Sequence, residues 1–323
     1  MHITNGCRGT RASGGRLILA LSLSSLTAAC GSGALDTSPD PSDSSDVTTS
    51  SLSTTRYTYQ LFDPAGAVRT LAWAINDHGE IAGNSLDSDG VAHAFIRSAS
   101  EEFTTFEIPG AAGITLRGIN NAGVSVGFYS DGVNFHGFER TADGVITTID
   151  FPGAVDSALL DINNGGDIAG QYDLGDQTVG GSFLLSNGHF TSLRDPPGAL
   201  PFNVFASGIN DRKEISGAFV GVDGNQHAFL LRGGKYTTFD DDGATVTGFS
   251  RLNDRGQIVG ASDISGGFVL DEKTLSISAL IACPGALETF PEGINNRGQV
   301  VGRCRQDGAQ FHGFIATPVH GEK

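Results

Sequence analysis

Asp161 and Glu292 are the carboxylates of this chain best placed for acid–base work, since each stands where a recurring pattern departs from itself. A pair of carboxylates can open a glycosidic bond, one protonating the leaving oxygen and the other serving as nucleophile or base. Trp73, Arg117 and Arg251 depart from the pattern at the same two positions. The five together are the candidate ligand contacts, with an idiosyncratic solvated channel as the alternative. Four His (His93, His136, His227 and His312) stand two residues before a Phe, which invites a metal reading. Residues two apart on a strand share a face, and copies spread around a fold cannot share one ion at bond lengths near ~2 Å. These His are therefore expected to be buried, hydrogen-bonded structural residues, and no metal or other cofactor is expected. Asp87-Ser88-Asp89-Gly90 begins like a calcium loop but lacks the longer run of oxygen ligands. No Gly-x-Ser-x-Gly elbow or His-Glu-x-x-His zinc helix occurs. With one Trp and five Tyr, the stacking aromatics of a lectin are scarce.

The elements that must hold these residues come in six copies. An apolar residue followed by Asn recurs at Asn76, Asn120, Asn163, Asn210, Asn253 and Asn295, at spacings of 44, 43, 47, 43 and 42. Seven residues after each Asn stands a Gly: Gly83, Gly127, Gly170, Gly217, Gly260 and Gly302. A Phe in a short apolar stretch follows (Phe95, Phe138, Phe183, Phe229, Phe268, Phe314), then a strand-like stretch and a Pro-Gly-Ala or Asp-Gly-Ala. The Asn-Asn/Asp-x-Gly and Asp-Gly segments have the chemistry of tight turns with positive φ. Each copy thus reads as four short strands in roughly 43 residues, the size of a propeller blade. Tyr57 to Ala67 looks like a fourth strand with no blade before it, and Gly293 to Pro318 like three strands lacking a fourth. The fold expected is all-β, a six-bladed β-propeller of four-stranded blades over residues 57–319, its ring closed by the N-terminal strand; an open solenoid is the alternative. Closure removes the free sheet edges that would recruit another chain, and a monomer is expected.

Comparing copies also gives Cys283 and Cys304 a meaning. The same two positions elsewhere hold Ile108 with Tyr129, Phe151 with Tyr172, Pro196 with Phe219, and Asp241 with Ser262. Like goes with like, so the positions report a contact inside each blade, and outside the cytoplasm the two Cys are expected to form a disulfide.

Ahead of the repeats lies a targeting segment. Arg8, Arg11 and Arg16 precede the apolar stretch Leu17 to Ala29, whose 13 residues are too few to span a bilayer as a helix. Leu26-Thr27-Ala28-Ala29-Cys30-Gly31 resembles the lipobox of bacterial lipoproteins, with Leu26 one step before the usual Leu position. That resemblance implies that residues 1–29 are removed and Cys30 is acylated; a secretory peptide cut near Ala29, leaving a free thiol, is the alternative. Residues 31 to 55 hold 13 Ser or Thr, four Asp, two Pro and no Lys or Arg. Such composition cannot offset its ordering entropy, so 30–56 reads as a disordered tether and 320–323 as a tail. The net charge of -16 speaks against nucleic acid or an anionic lipid surface as partner, and leaves the lipid as the only membrane contact.

Taken in order, the blocks Gly-Ile-Asn-Asn-x-Gly, His-Gly/Ala-Phe and Pro-Gly-Ala resemble the HAF family of exported repeats, whose triplet is complete at His93-Ala94-Phe95 and His227-Ala228-Phe229. The resemblance covers residues 57–319 and implies an extracytoplasmic propeller, with no activity or catalytic residues to carry over. The reading is an exported, lipid-anchored binding or scaffold module for a protein or glycan partner, at the outer membrane or cell surface, or else periplasmic or secreted. A carbohydrate-active hydrolase or lyase using Asp161 and Glu292, and a purely structural envelope protein, are the alternatives.

Overall fold

The computed structural model describes residues 55–175, 180–306 and 310–319; the expected export segment, Cys30, most of the tether and the tail lie outside these residues. Among the described residues every regular element is a strand. Four strands make the first blade: β2 (Ala67–Ile75), β3 (Ile81–Asp87), β4 (Ala92–Arg97) and β5 (Phe103–Phe106). The order repeats in β6 (Gly113–Ile119) to β9 (Ile146–Thr148), β10 (Asp156–Ile162) to β13 (His189–Ser192), β14 (Ala199–Ile209) to β17 (Lys235–Phe239), and β18 (Thr247–Leu252) to β21 (Ser276–Ile281). The sixth blade has β22 (Glu288–Ile294), β23 (Val300–Arg305) and β24 (His312–Val319) from the C-terminal end. Its fourth strand is β1 (Arg56–Phe62), paired antiparallel to β24 from Arg56↔Val319 to Phe62↔Gly313. The protein is a six-bladed β-propeller closed by its N-terminal strand, as its repeats predict.

The recurring Gly and Phe are one device. In every blade the Gly of the second strand pairs with the Phe of the third, for example Gly83↔Phe95 and Gly217↔Phe229. All six Phe are fully buried. A Cβ on any of the six Gly would come within 3.0 Å of the paired Phe ring, so the ring lies flat across the backbone only because the side chain is missing. Phe138→Ala should therefore cost about 3–5 kcal/mol in denaturant unfolding. A cost below about 1 kcal/mol would mean that the ring does not fill the space between blades.

Cys283 and Cys304 form a disulfide across 21 residues of sequence. Cys283 lies past the end of β21, on the segment crossing from the fifth blade to the sixth, and Cys304 lies on β23, so the link ties an incoming crossover to the blade it enters. Other copies make the same join by other means. Phe151 stacks on Tyr172 with ring centres 3.8 Å apart, and the Ser262 hydroxyl donates to the Asp241 carboxylate at 2.5 Å.

Candidate functional site

The innermost strands β2, β6, β10, β14, β18 and β22 share an irregularity. Each slips register against its neighbour at the same place, skipping Trp73, Arg117, Leu160, Ser207, Ser250 with Arg251, and Glu292. A bulge bends the strand and takes carbonyls out of the ladder. Four of those carbonyls converge on one side chain. Arg251 Nη1 donates to the carbonyls of Trp73 (2.7 Å) and Glu292 (3.2 Å), and Nη2 to those of Leu160 (2.8 Å) and Arg117. Its Nε lies 3.0 Å from Asp161 Oδ1, an ion pair in which the N–H is not aimed at the oxygen, while Asp161 Oδ2 accepts the Ile209 N–H at 3.0 Å. One guanidinium from the fifth blade thus holds the backbones of the first, second, third and sixth at the propeller axis.

The other three residues meet beside this hub. The Arg117 guanidinium stacks on the Trp73 ring, 4.0 Å from its centre, and Arg303 lies 5.0 Å from the same ring. Arg303 Nη1 donates to Glu292 Oε1 at 2.6 Å. All five sequence candidates are brought together and all are buried, between 4% and 6% exposed, as one another's partners. Sequence reasoning missed Arg303, which is 1% exposed and sits on a second strand where no repeat position drew attention to it. Burial, and then the charge of Arg251, pull the Arg117 guanidinium down to about 9.

Above the hub, the repeated Asn residues form a belt. Each Asn side chain donates to the carbonyl of the equivalent Asn in the next blade, from Asn76 to Asn120 around to Asn295 and back to Asn76, at 2.8–3.5 Å. A second belt uses the following residue. The N–H groups of Asp77, Asn121, Asn164, Asp211, Asp254 and Asn296 each donate to the side chain of the next in turn, at 2.7–2.9 Å. Burial pushes the Asp77 carboxyl up, but hydrogen bonds from Asn121 and Asn296 and the charge of Arg297 outweigh it and hold the group below its usual range. The belts ring a cavity of about 60 Å³ whose lining includes Arg251 and Asp161.

No protein-family model matches the sequence, and no curated protein matches it either. Solved structures resemble the fold. Regucalcin, a calcium-binding protein from Agrobacterium tumefaciens, has 14% identity over 82% of this chain and 96% of its own, with a TM-score of 0.49. The β-propeller domain of the Trilobed protease from Pyrococcus furiosus has 12% identity over 80% of this chain and 86% of its own, at 0.48. A lectin from Aleuria aurantia has 8% identity over 80% of this chain and 97% of its own, at 0.42. At such identities the likeness is one of fold.

The four His are hydrogen-bonded but half-buried rather than buried. Each lies at the start of the third strand, beside the end of the fourth, where 19–31% of its side chain stays exposed. Three bridge two acids: His93 between Asp87 and Glu107, His136 between Asp131 and Asp150, His227 between Asp223 and Asp240. His312 meets Asp63 of the closing strand's loop at 2.6 Å. Asp87 Oδ1 also accepts the N–H groups of Asp89 and Val91, so the calcium-like segment closes on its own backbone. Among the described residues no three or more His, Cys, Asp or Glu are arranged so that they could hold a metal ion.

These bridges set a pH dependence. The Asp87 hydrogen bond raises His93 and the Asp150 hydrogen bond raises His136; for His227, burial lowers the pKa but Asp223 and Asp240 prevail. Their contribution is fully present below the ordinary His value near ~6.5 and is lost as pH climbs through the raised values. Asp87 and Asp223 are lowered by their His and Asp131 by the Asn134 N–H, so that share is lost as pH falls through their depressed values. Tm should therefore decline from about pH 6 to 8.5. The decline should flatten in a His93→Gln, His136→Gln, His227→Gln triple variant, and an unchanged slope would remove the bridges from the explanation.

A second concavity, of about 370 Å³, opens between the sixth blade and the first. Thr58, Gln60, Arg297 and Gln299 line it from one side and Arg97 and Glu101 from the other, with Arg97 Nη2 3.2 Å from Glu101 Oε1.

Proposed function

We propose that the chain is an exported, lipid-anchored propeller of HAF-repeat type that serves as a binding or scaffold module for an extracytoplasmic protein or glycan. The observation that carries this reading is the state of the two channel carboxylates. Asp161 and Glu292 are buried and each is held by an arginine, at 3.0 Å and 2.6 Å. Closed off from solvent at 6% and 5% exposure and each already engaged by a guanidinium, neither carboxylate is open to a glycosidic oxygen, which weighs against the hydrolase alternative. The cleft between the last and first blades has the volume of a small-ligand site and a wall of hydrogen-bonding side chains suited to sugar hydroxyls or a peptide backbone.

Envelope glycans arrayed against the chain from Cys30 onward, with turnover followed in parallel, test the reading. Binding should weaken by about 10-fold or more in a Thr58→Ala, Arg297→Ala variant, with no product formed. Turnover that disappears in an Asp161→Asn, Glu292→Gln variant would establish the enzyme instead, and no binding at all would favour a structural role. For the anchor, mass spectrometry of membrane fractions should find diacylglyceryl on Cys30; a soluble product beginning at Cys30 without lipid ends that part.

A further inference from the structure

The chain carries 36 acidic and 20 basic residues, yet its buried axis has the opposite balance. Three guanidinium groups lie there, Arg117, Arg251 and Arg303, against two carboxylates, Asp161 and Glu292. Arg251 is matched to Asp161 and Arg303 to Glu292. Arg117 is the odd one: among the described residues its guanidinium has no hydrogen bond and no ion pair, and the residue is only 6% exposed. Its guanidinium stacks on the face of Trp73, which also lies under Arg303. The cationic stack continues outward, with Arg303, Arg69 and Arg305 each within 5.8 Å of the centre of the Phe311 ring. Arg305, paired with Glu288 at 2.9 Å, has a side chain 30% exposed and so brings the stack to solvent.

Donors without acceptors concentrate in this stack. They are Arg117 Nε, Arg303 Nε and Nη2, Arg305 Nε and Trp73 Nε1, all fully buried. A buried donor left unmatched costs about 1–3 kcal/mol and more when charged, so several in one place are not neutral packing. Planar guanidinium forks match the paired oxygens of a carboxylate, sulfate or phosphate better than they match a spherical ion or a water. The surplus of one positive charge matches an anion. From this geometry we infer that the axial stack is a binding site for a small oxyanion, with Arg117 as its primary ligand and the free N–H groups of Arg303 and Trp73 as secondary ones. The site is separate from the cleft between blades and does not depend on the partner-binding reading.

Trp73 is the only Trp of the chain, so its emission reports on this place alone. The purified protein is titrated with sodium sulfate and, separately, sodium acetate, against sodium chloride at matched ionic strength. Sulfate or acetate should give a saturable change in Trp73 emission that chloride does not, and a Tm rise on the order of 5 °C at a hundred-fold excess over half-saturation. Arg117→Met, which keeps a stem against the Trp ring and removes the charge, should abolish both responses and be at least as stable as the parent in chloride. Arg117→Lys, the second variant should the Met form fail to fold, keeps the charge without the fork and should raise half-saturation by about 10-fold or more. No saturable response in the parent protein, or one unchanged in both variants, overturns the assignment.

Discussion

Arg251→Leu should cost the propeller at least about 5 kcal/mol, and the variant is expected to be insoluble or to melt more than about 10 °C below the parent. The size follows from what the side chain leaves behind. Asp161 becomes a buried carboxylate without its cation, a change worth about 3–5 kcal/mol in comparable sites. Four bulge carbonyls, those of Trp73, Arg117, Leu160 and Glu292, lose their donor in the same step. Leu fills most of the volume, so the loss is electrostatic rather than a cavity. Combining Arg251→Leu with Asp161→Leu should recover at least about 1 kcal/mol, because the second change removes the stranded charge. A single-variant cost below about 1 kcal/mol, read from chemical denaturation, would show that the axis holds itself together without the guanidinium.

Deleting residues 55–62 should be as damaging, for a different reason. The deletion strips the fourth strand from the sixth blade and leaves β24 with an unpaired edge next to exposed Phe314 and Phe95. Phe62 alone, packed edge-on against Phe95 at 6.4 Å, is worth about 3–5 kcal/mol. A free edge of this length also templates aggregation. The truncated chain is expected to lose its cooperative melting transition and to regain it when a synthetic peptide of residues 55–62 is added, since the peptide restores the pairing of Arg56–Phe62 along β24. A truncated protein that melts cooperatively within a few degrees of the parent would mean that closure adds little.

What could be read from residues alone was whatever repeats. Six Ile-Asn or Leu-Asn pairs gave the blade count, the lone strand and loop read at Tyr57–Ala67 (a strand over Arg56–Phe62 in the structure) gave the closure, and the matched exchange of Phe151/Tyr172 for Cys283/Cys304 gave the disulfide. The axis was located but not understood. Trp73, Arg117, Asp161, Arg251 and Glu292 stood out because they break the repeat, and the structure gathers them at one level. Their partners, however, are main-chain carbonyls at bulges, and a carbonyl has no residue type to betray it. Arg303 was hidden for a related reason, since its pairing with Glu292 and Trp73 crosses strands and blades with no fixed spacing. The His misplacement came from a correct face and a wrong depth: His136 shares a strand with the fully buried Phe138, but two residues nearer its start the blade meets water.

The two ways in which this ring is held have different consequences for how such a protein could arise and change. The Asn belt is made of identical links, each blade offering its neighbour the same donor and acceptor, so a duplicated or deleted unit would still find its place in the chain of links. Arg251 is a link of another kind. It spans from one blade to four others, and a circle enlarged by a seventh unit would carry those carbonyls beyond the reach of a single side chain. The belt can count to any number, whereas the arginine is a ruler cut for six. An ancestral array free to gain and lose units would have had its circumference fixed once that one residue appeared.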